Sequence, residues 1–253
     1  MINKNINKLD IWILPIFFAL LMFALWYTDN NAFIFFIINA LAIYNLNDFW
    51  EYITVLGDAL ILLSFLAFFL KRFFPWVVTG LIAAIISATV VQLMKHGLDI
   101  DRPFSILDKS DLYIIGNPLS HKSFPSGHTA SIFVFSTVIF LLAKSKIISA
   151  LTLLLAIIVG FSRVVIGAHW PLDILAGAII GWLSVYIAIL ITSKIKKINK
   201  IFHLIIILFI LAASISLFFI RTDYENTYLM QIFIATFTTI TAFYNLITFH
   251  KQK

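Results

Sequence analysis

Cysteine is absent from the 253-residue chain, which removes disulfides and thiol chemistry from consideration. Charge is scarce: 12% of residues are Asp, Glu, Lys or Arg and 62% are hydrophobic, against about 25% charged and about 45–50% apolar in an ordinary soluble domain. A soluble fold is excluded on that ground, and a mean hydropathy of +1.02 fits an integral membrane protein. Net charge is +6, but few basic residues lie outside short loops, so nucleic-acid binding is a poor reading. Alternating apolar and polar runs are also missing. The apolar runs are long and continuous, so the spans are helices rather than barrel strands. The first run ends in Trp26-Tyr-Thr-Asp-Asn, which lacks a small-residue cleavage pattern, so the stretch after Lys4 and Lys8 is expected to be an uncleaved span. No repeat, low-complexity tract or linker divides the chain. The expected fold is an all-α polytopic transmembrane bundle, with residues 1–253 as a single membrane domain.

Eight apolar segments are present, near 11–28, 53–70, 75–94, 127–143, 147–162, 173–193, 201–220 and 228–248. Most approach the roughly 20 residues that cross a bilayer. A further run at 32–45, interrupted by Asn31, Asn39 and Asn45, reads as an interfacial helix. With the N-terminus inside, the inner loops hold twelve of the eighteen basic residues. The other six, Lys95, Arg102, Lys109, Lys122, Arg163 and Arg221, fall outside. The positive-inside rule thus predicts both termini in the cytoplasm of what is expected to be a bacterial inner membrane, with Lys95–Asp173 facing the exterior or periplasm.

That stretch carries three polar clusters: Lys95 through Arg102-Pro103, then Pro125-Ser126-Gly127-His128, then Ser162-Arg163 followed by His169-Trp-Pro-Leu-Asp173. Ionisable residues beside apolar spans are costly and mark functional sites. Lys95, Arg102 and Arg163 are cations on one side of the membrane, and arginine forks with a lysine point charge suit phosphate oxygens. Pro125 and Pro171 precede or open helices there, whose free N-terminal amides favour an anion. His169 and Asp173, four apart at a helix start, allow a carboxylate to fix the imidazole tautomer and make the other nitrogen a nucleophile or base. His128 offers a proton to a leaving oxygen. Gly127 admits close backbone approach, and Ser126 either caps its helix or bonds a phosphate. A metal site is disfavoured because the clusters hold more cations than anions. Asp99 and Asp101 read as loop acids. Asp58 is either a partner for a site cation or a polar residue near the interface. His96, His121, His203 and His250 match no constellation.

Lys95 with Arg102-Pro103, the intact Pro125-Ser126-Gly127-His128, and Ser162-Arg163 with His169 and Asp173 together resemble the three-part signature of the type 2 phosphatidic acid phosphatase family. The resemblance spans about residues 50–193. It implies a six-helix core, here followed by two extra helices near 201–248, and a phosphatase that works without metal or cofactor through a phosphohistidine. It implies His169 as nucleophile, Asp173 as its orienting acid and His128 as proton donor. Lys95, Arg102, Ser126, Gly127 and Arg163 are then expected to hold phosphoryl oxygens. The expected partner is a lipid phosphate in the membrane: undecaprenyl pyrophosphate, phosphatidic acid or phosphatidylglycerophosphate, or a lipid A phosphate. A lipid-to-lipid phosphotransferase using the same histidine is the alternative. A transporter or structural bundle with an anion site is the distant one. Sequence leaves the oligomeric state open.

Overall fold

The computed structural model describes residues 8–44, 46–195 and 197–251, which form helices and connecting loops with no strand among them. Eleven α-helices follow in order: α1 Lys8–Tyr27, α2 Asn31–Asn39, α3 Asn47–Val55, α4 Ala59–Phe65, α5 Phe74–Leu98, α6 Pro103–Ile106, α7 Gly127–Leu142, α8 Lys146–Val165, α9 Pro171–Thr192, α10 Lys200–Ser216 and α11 Tyr228–Lys251.

The helix starts are chemically explicit. Asp58, Ser126, Ser145 and Asn199 accept backbone amides at the first turns of α4, α7, α8 and α10. Pro75, Pro103 and Pro171 stand in the first turns of α5, α6 and α9, where a missing N–H costs nothing. The bundle is organised around α9, which packs against α1, α5 and α7. Its Trp182 is fully buried in a cluster with Phe18, Phe133 and Val185. Gly177 lets α7 lie close, because a Cβ there would stand 2.6 Å from the Ser126 carbonyl oxygen. This closeness sets the first turns of α7 and α9 side by side, with the Ser126 N–H bonded to the Asp173 carbonyl at 3.0 Å.

Among the described residues, four helices are long and apolar enough to cross a membrane, Phe74–Ile106, Lys146–Val165, Pro171–Thr192 and Glu225–Phe249, counting across short breaks. The other expected spans differ in form. Segment 53–70 is broken: Asn47–Val55 and Ala59–Phe69 meet at 60° around Gly57 and Asp58. The run at 32–45 joins the first helix at a 107° bend. Its Phe35 and Asn39 are buried, and α2 packs on α8 and α9. Gly127–Leu142 and Lys200–Ser216 are apolar but shorter. Segment 147–162 extends to the full Lys146–Val165 helix. The α10–α11 hairpin packs on α4, closing the bundle beside α5.

Candidate active site

The turn between α8 and α9 presents His169. Gly167 makes it possible, with φ of 78° and with the Tyr113 carbonyl oxygen only 2.7 Å from where a Cβ would stand. The N–H groups of Ala168 and His169 both donate to the Arg163 carbonyl, at 3.0 and 3.1 Å, which folds the turn back on the end of α8. Asp173, three residues past Trp170, then accepts three hydrogen bonds on one oxygen. Its Oδ2 takes the Trp170 N–H at 2.9 Å, the Ser123 hydroxyl at 2.5 Å and His169 Nδ1 at 3.1 Å. All the side chains are buried: Ser123 is 0%, His169 2% and Asp173 1% exposed. An ionised carboxylate only accepts, so Nδ1 carries the proton and Nε2 presents a lone pair. The Trp170 ring lies against Phe35 of α2 and its Nε1 donates to the Asp101 carbonyl, tying the turn to both neighbouring segments.

Arg102 stands in the extended conformation that a following proline favours. Its Nε donates to the His121 carbonyl at 2.9 Å and its Nη1 to the Ala168 carbonyl at 2.9 Å, leaving Nη1 3.4 Å from His169 Nε2. The guanidinium is therefore held by backbone oxygens from the 104–124 loop and from the turn that carries His169. Arg163, 4% exposed, donates from Nη1 to Thr54 Oγ1 at 2.8 Å and to the Tyr224 hydroxyl at 2.9 Å. Its Nε is buried without a partner among the described residues. Lys95 occupies the last turn of α5, half-buried and within electrostatic reach of Arg102, Arg163 and Asp173. Burial, followed by the Arg102, Arg163 and Lys95 cations and by His128, holds the His169 imidazole well below its ordinary pKa. The ring is thus neutral, with a lone pair free to attack an electrophile.

Ser126 caps α7. Its Oγ accepts from Thr129 N–H at 3.4 Å and from Thr129 Oγ1 at 2.9 Å, which leaves its own proton to donate. A Cβ on Gly127 would meet only Val91, at 3.9 Å, so packing does not call for glycine there. His128 follows on the first turn, with its Cβ against Gly57 at the break between α3 and α4. The eight residues expected from sequence thus converge at one end of the bundle.

Asp58 forms no ion pair among the described residues; its carboxylate accepts the Leu60 and Ile61 amides at 2.8 and 3.2 Å and serves α4. His121 pairs with Asp101 at 2.7 Å on the surface, His96 bonds the Gln92 carbonyl, and His203 stacks on Phe74. The His250 side chain lies outside the described residues. Ser123, Thr54 and Tyr224 belong to the site's inner network and were not foreseen. Only Ser123, two residues before Pro125, carried a hint in its position.

Comparison with known proteins closes the case. A family model described as the PAP2 superfamily matches residues 76–197. An undecaprenyl-diphosphatase of Sulfolobus acidocaldarius is 32% identical over 152 residues, 59% of this chain and 69% of that protein. A lipid A 1-phosphatase of Rhizobium etli is 28% identical over 161 residues, 55% of this chain and 68% of its own. The crystal structure of Aquifex aeolicus LpxE superposes with a TM-score of 0.59 at 29% identity, covering 63% of this chain and 94% of LpxE. The PAP2-type phosphatidylglycerolphosphate phosphatase of Bacillus subtilis shares the fold, with a TM-score of 0.56 at 22% identity over 76% of this chain and all of that one. With the family's three motifs gathered at one end of a helical bundle of the same fold, this chain belongs to the PAP2 superfamily.

Proposed function

We propose that this protein is an integral membrane lipid phosphatase that hydrolyses a phosphomonoester or diphosphate of a membrane lipid on the outer face, through a phosphohistidine at His169. The observation that carries the reading is the buried His169–Asp173 pair, with the Nε2 lone pair facing the Arg102 guanidinium. In the first step Nε2 attacks phosphorus, an N–P bond forms and the P–O bond to the lipid breaks. His128 gives its proton to the departing oxygen. Asp173 balances the positive charge that gathers on the imidazole. Lys95, Arg102, Arg163, the Ser126 hydroxyl and the α7 N-terminus at Gly127 take up the charge on the phosphoryl oxygens. In the second step water, deprotonated by His128, attacks phosphorus and phosphate leaves His169. Lys95, Arg102 and Arg163 supply the charge neutralisation that a metal supplies in other phosphatases.

A lipid substrate is supported by an apolar cavity of about 640 Å³ bounded by α4, α5, α7 and α10. It has Gly127 and His128 at one end and runs along α7 to Val138, about 16 Å at 1.5 Å per residue. A hydrocarbon chain lying in this cavity would leave its headgroup beside His128. Two relatives are named for lipid-borne phosphates, an undecaprenyl-diphosphatase and a lipid A 1-phosphatase. The isoprenoid diphosphate is the first substrate to test. Lysine-rich loops at the opposite end of the bundle support an outward-facing site.

The test is phosphate release by purified protein from undecaprenyl diphosphate, phosphatidate and phosphatidylglycerophosphate in EDTA. Release should persist in the chelator and vanish in His169→Ala. A strict metal requirement, or an active His169→Ala, would overturn the reading. A topology reporter at Lys122 should read outside and one at Lys197 inside; the reverse would move the site to the cytoplasm.

A further inference from the structure

We infer that the C-terminal hairpin completes the phosphate site, with Tyr224 acting as a positioning residue for Arg163. The inference rests on the reading of Arg163 as a phosphate ligand. Tyr224 lies in the connection between α10 and α11, beyond residues 76–197 that carry the family match. It is 7% exposed, and its hydroxyl accepts a hydrogen bond from Arg163 Nη1 at 2.9 Å.

The connection is built to hold that hydroxyl still. The Tyr224 carbonyl accepts from the Thr227 hydroxyl at 2.7 Å and the Thr222 hydroxyl at 3.3 Å, and those two hydroxyls are 2.8 Å apart. Gln231 on α11 reaches back, accepting the Thr222 N–H at 3.2 Å and donating to the carbonyls of Leu217 and Ile220. Asn226 donates to Asp48 at 2.9 Å and its carbonyl accepts the Tyr52 hydroxyl at 3.0 Å, which fastens the connection to α3. That same helix carries Thr54, the other acceptor of Nη1. On its remaining side the Tyr224 ring fills the space over Gly116, where a Cβ would come within 2.6 Å of it.

The consequence for Arg163 is directional. Two fixed acceptors occupy Nη1, Nε is buried without a partner, and no acceptor pairs with Nη2 among the described residues. Nε and Nη2 form the edge of parallel donors that matches two phosphoryl oxygens. Holding Nη1 from behind aims that edge. Without the Tyr224 hydroxyl, only Thr54 restrains the guanidinium and its rotation about the side-chain axis widens.

The experiment uses Tyr224→Phe, which keeps the ring and its packing on Gly116 and removes one hydroxyl. The thermal unfolding midpoint should stay near that of the wild type. KM for the lipid phosphate and the inhibition constant of inorganic phosphate should both rise, with kcat/KM falling about tenfold to a hundredfold, as expected for loss of a hydrogen bond to a charged group. In an Arg163→Lys background the same substitution should change kcat/KM by less than about twofold, because the group it positions is gone. A purely structural role would instead reduce folded protein and kcat, leave KM and phosphate inhibition in place, and act equally in both backgrounds; that result overturns the inference. Inorganic phosphate alone gives a second arm independent of turnover. The wild-type unfolding temperature should rise with phosphate, and that of Tyr224→Phe should rise less. An active wild type with equal shifts in both proteins refutes only the Tyr224 role. A wild type that is stabilised by phosphate yet inactive on every lipid refutes only the phosphatase reading. A wild type neither active nor stabilised refutes both.

Discussion

Replacing Asp173 by Asn isolates one electrostatic contribution to the proposed chemistry. All three donors that surround the carboxylate, from Ser123, Trp170 and His169, converge on Oδ2. An asparagine can place its own carbonyl oxygen there and keep the three hydrogen bonds, the first turn of α9 and the His169 tautomer. What it loses is charge. In the phosphorylation step the imidazole becomes cationic within hydrogen-bond distance of Asp173, 3.1 Å from Nδ1 to Oδ2. Unit charges about 4 Å apart attract by about 4 kcal/mol at an effective dielectric constant of about 20. Each 1.36 kcal/mol is about a factor of ten in rate, so phosphoenzyme formation should slow roughly a thousandfold. The assay is a rapid-quench single turnover, with unfolding measured in parallel. Asp173→Ala should be slower again and less stable, because it also removes the acceptor of the Trp170 amide, an N-terminal cap of about 1 kcal/mol. An Asn variant that is folded and within tenfold of wild type would refute the charge-balancing role. An Asn variant that fails only because it unfolds would refute instead the premise that the three hydrogen bonds on Oδ2 survive the exchange.

Other consequences concern pH and chain length. Burial, with help from Arg102, depresses the His169 pKa below its ordinary 6.5, so the proposed nucleophile stays neutral until the pH falls through that lowered value. The acid limb of kcat/KM should therefore lie below pH 6.5, and Arg102→Gln, by removing a neighbouring cation, should move it upward as well as lowering the plateau; an unmoved limb would sever the link to His169. Ala88 is an exposed residue of α5 lining the apolar cavity. Ala88→Phe should raise KM for a long-chain lipid phosphate severalfold and leave a short-chain analogue unaffected. Equal effects on both would show that the chain does not use this cavity.

Much of the candidate site is readable from residue types because the proposed chemistry depends on short spacings at helix ends. His169 and Asp173 are four apart at the start of α9, and Ser126, Gly127 and His128 open α7, so the fold only had to bring two helix starts together. Gly177 does that, yet it is one small residue among many in an apolar run. The unseen part consists of long-range partners. Ser123 reaches Asp173 across 50 residues, Tyr224 reaches Arg163 across 61, and Thr54 reaches it across 109. None has a local pattern that announces a tertiary contact. The break at Gly57 and Asp58 was hidden for a different reason: the sequence stays apolar on both sides, and hydropathy does not register a 60° turn. From sequence, Asp58 reads as a candidate cation partner because an acid beside an apolar span demands a donor. The α4 amides meet that demand locally. The 32–45 run suggested an interfacial helix by its asparagines, and two of them turn out to be structural. Asn39 bonds the Tyr113 and Val165 carbonyls, and Asn31 accepts the Leu172 amide beside the active-site turn.

The proposed chemistry requires phosphorus to become bonded to His169. Acid-sensitive, base-stable phosphoenzyme should appear when the protein is quenched during turnover of a phosphate-labelled lipid, and peptide mapping should place the label on His169. His128→Ala should slow both its formation and its hydrolysis, and His169→Ala should form none. A folded, active wild type that never accumulates label under single-turnover quench, or a label retained in His169→Ala, would contradict the account.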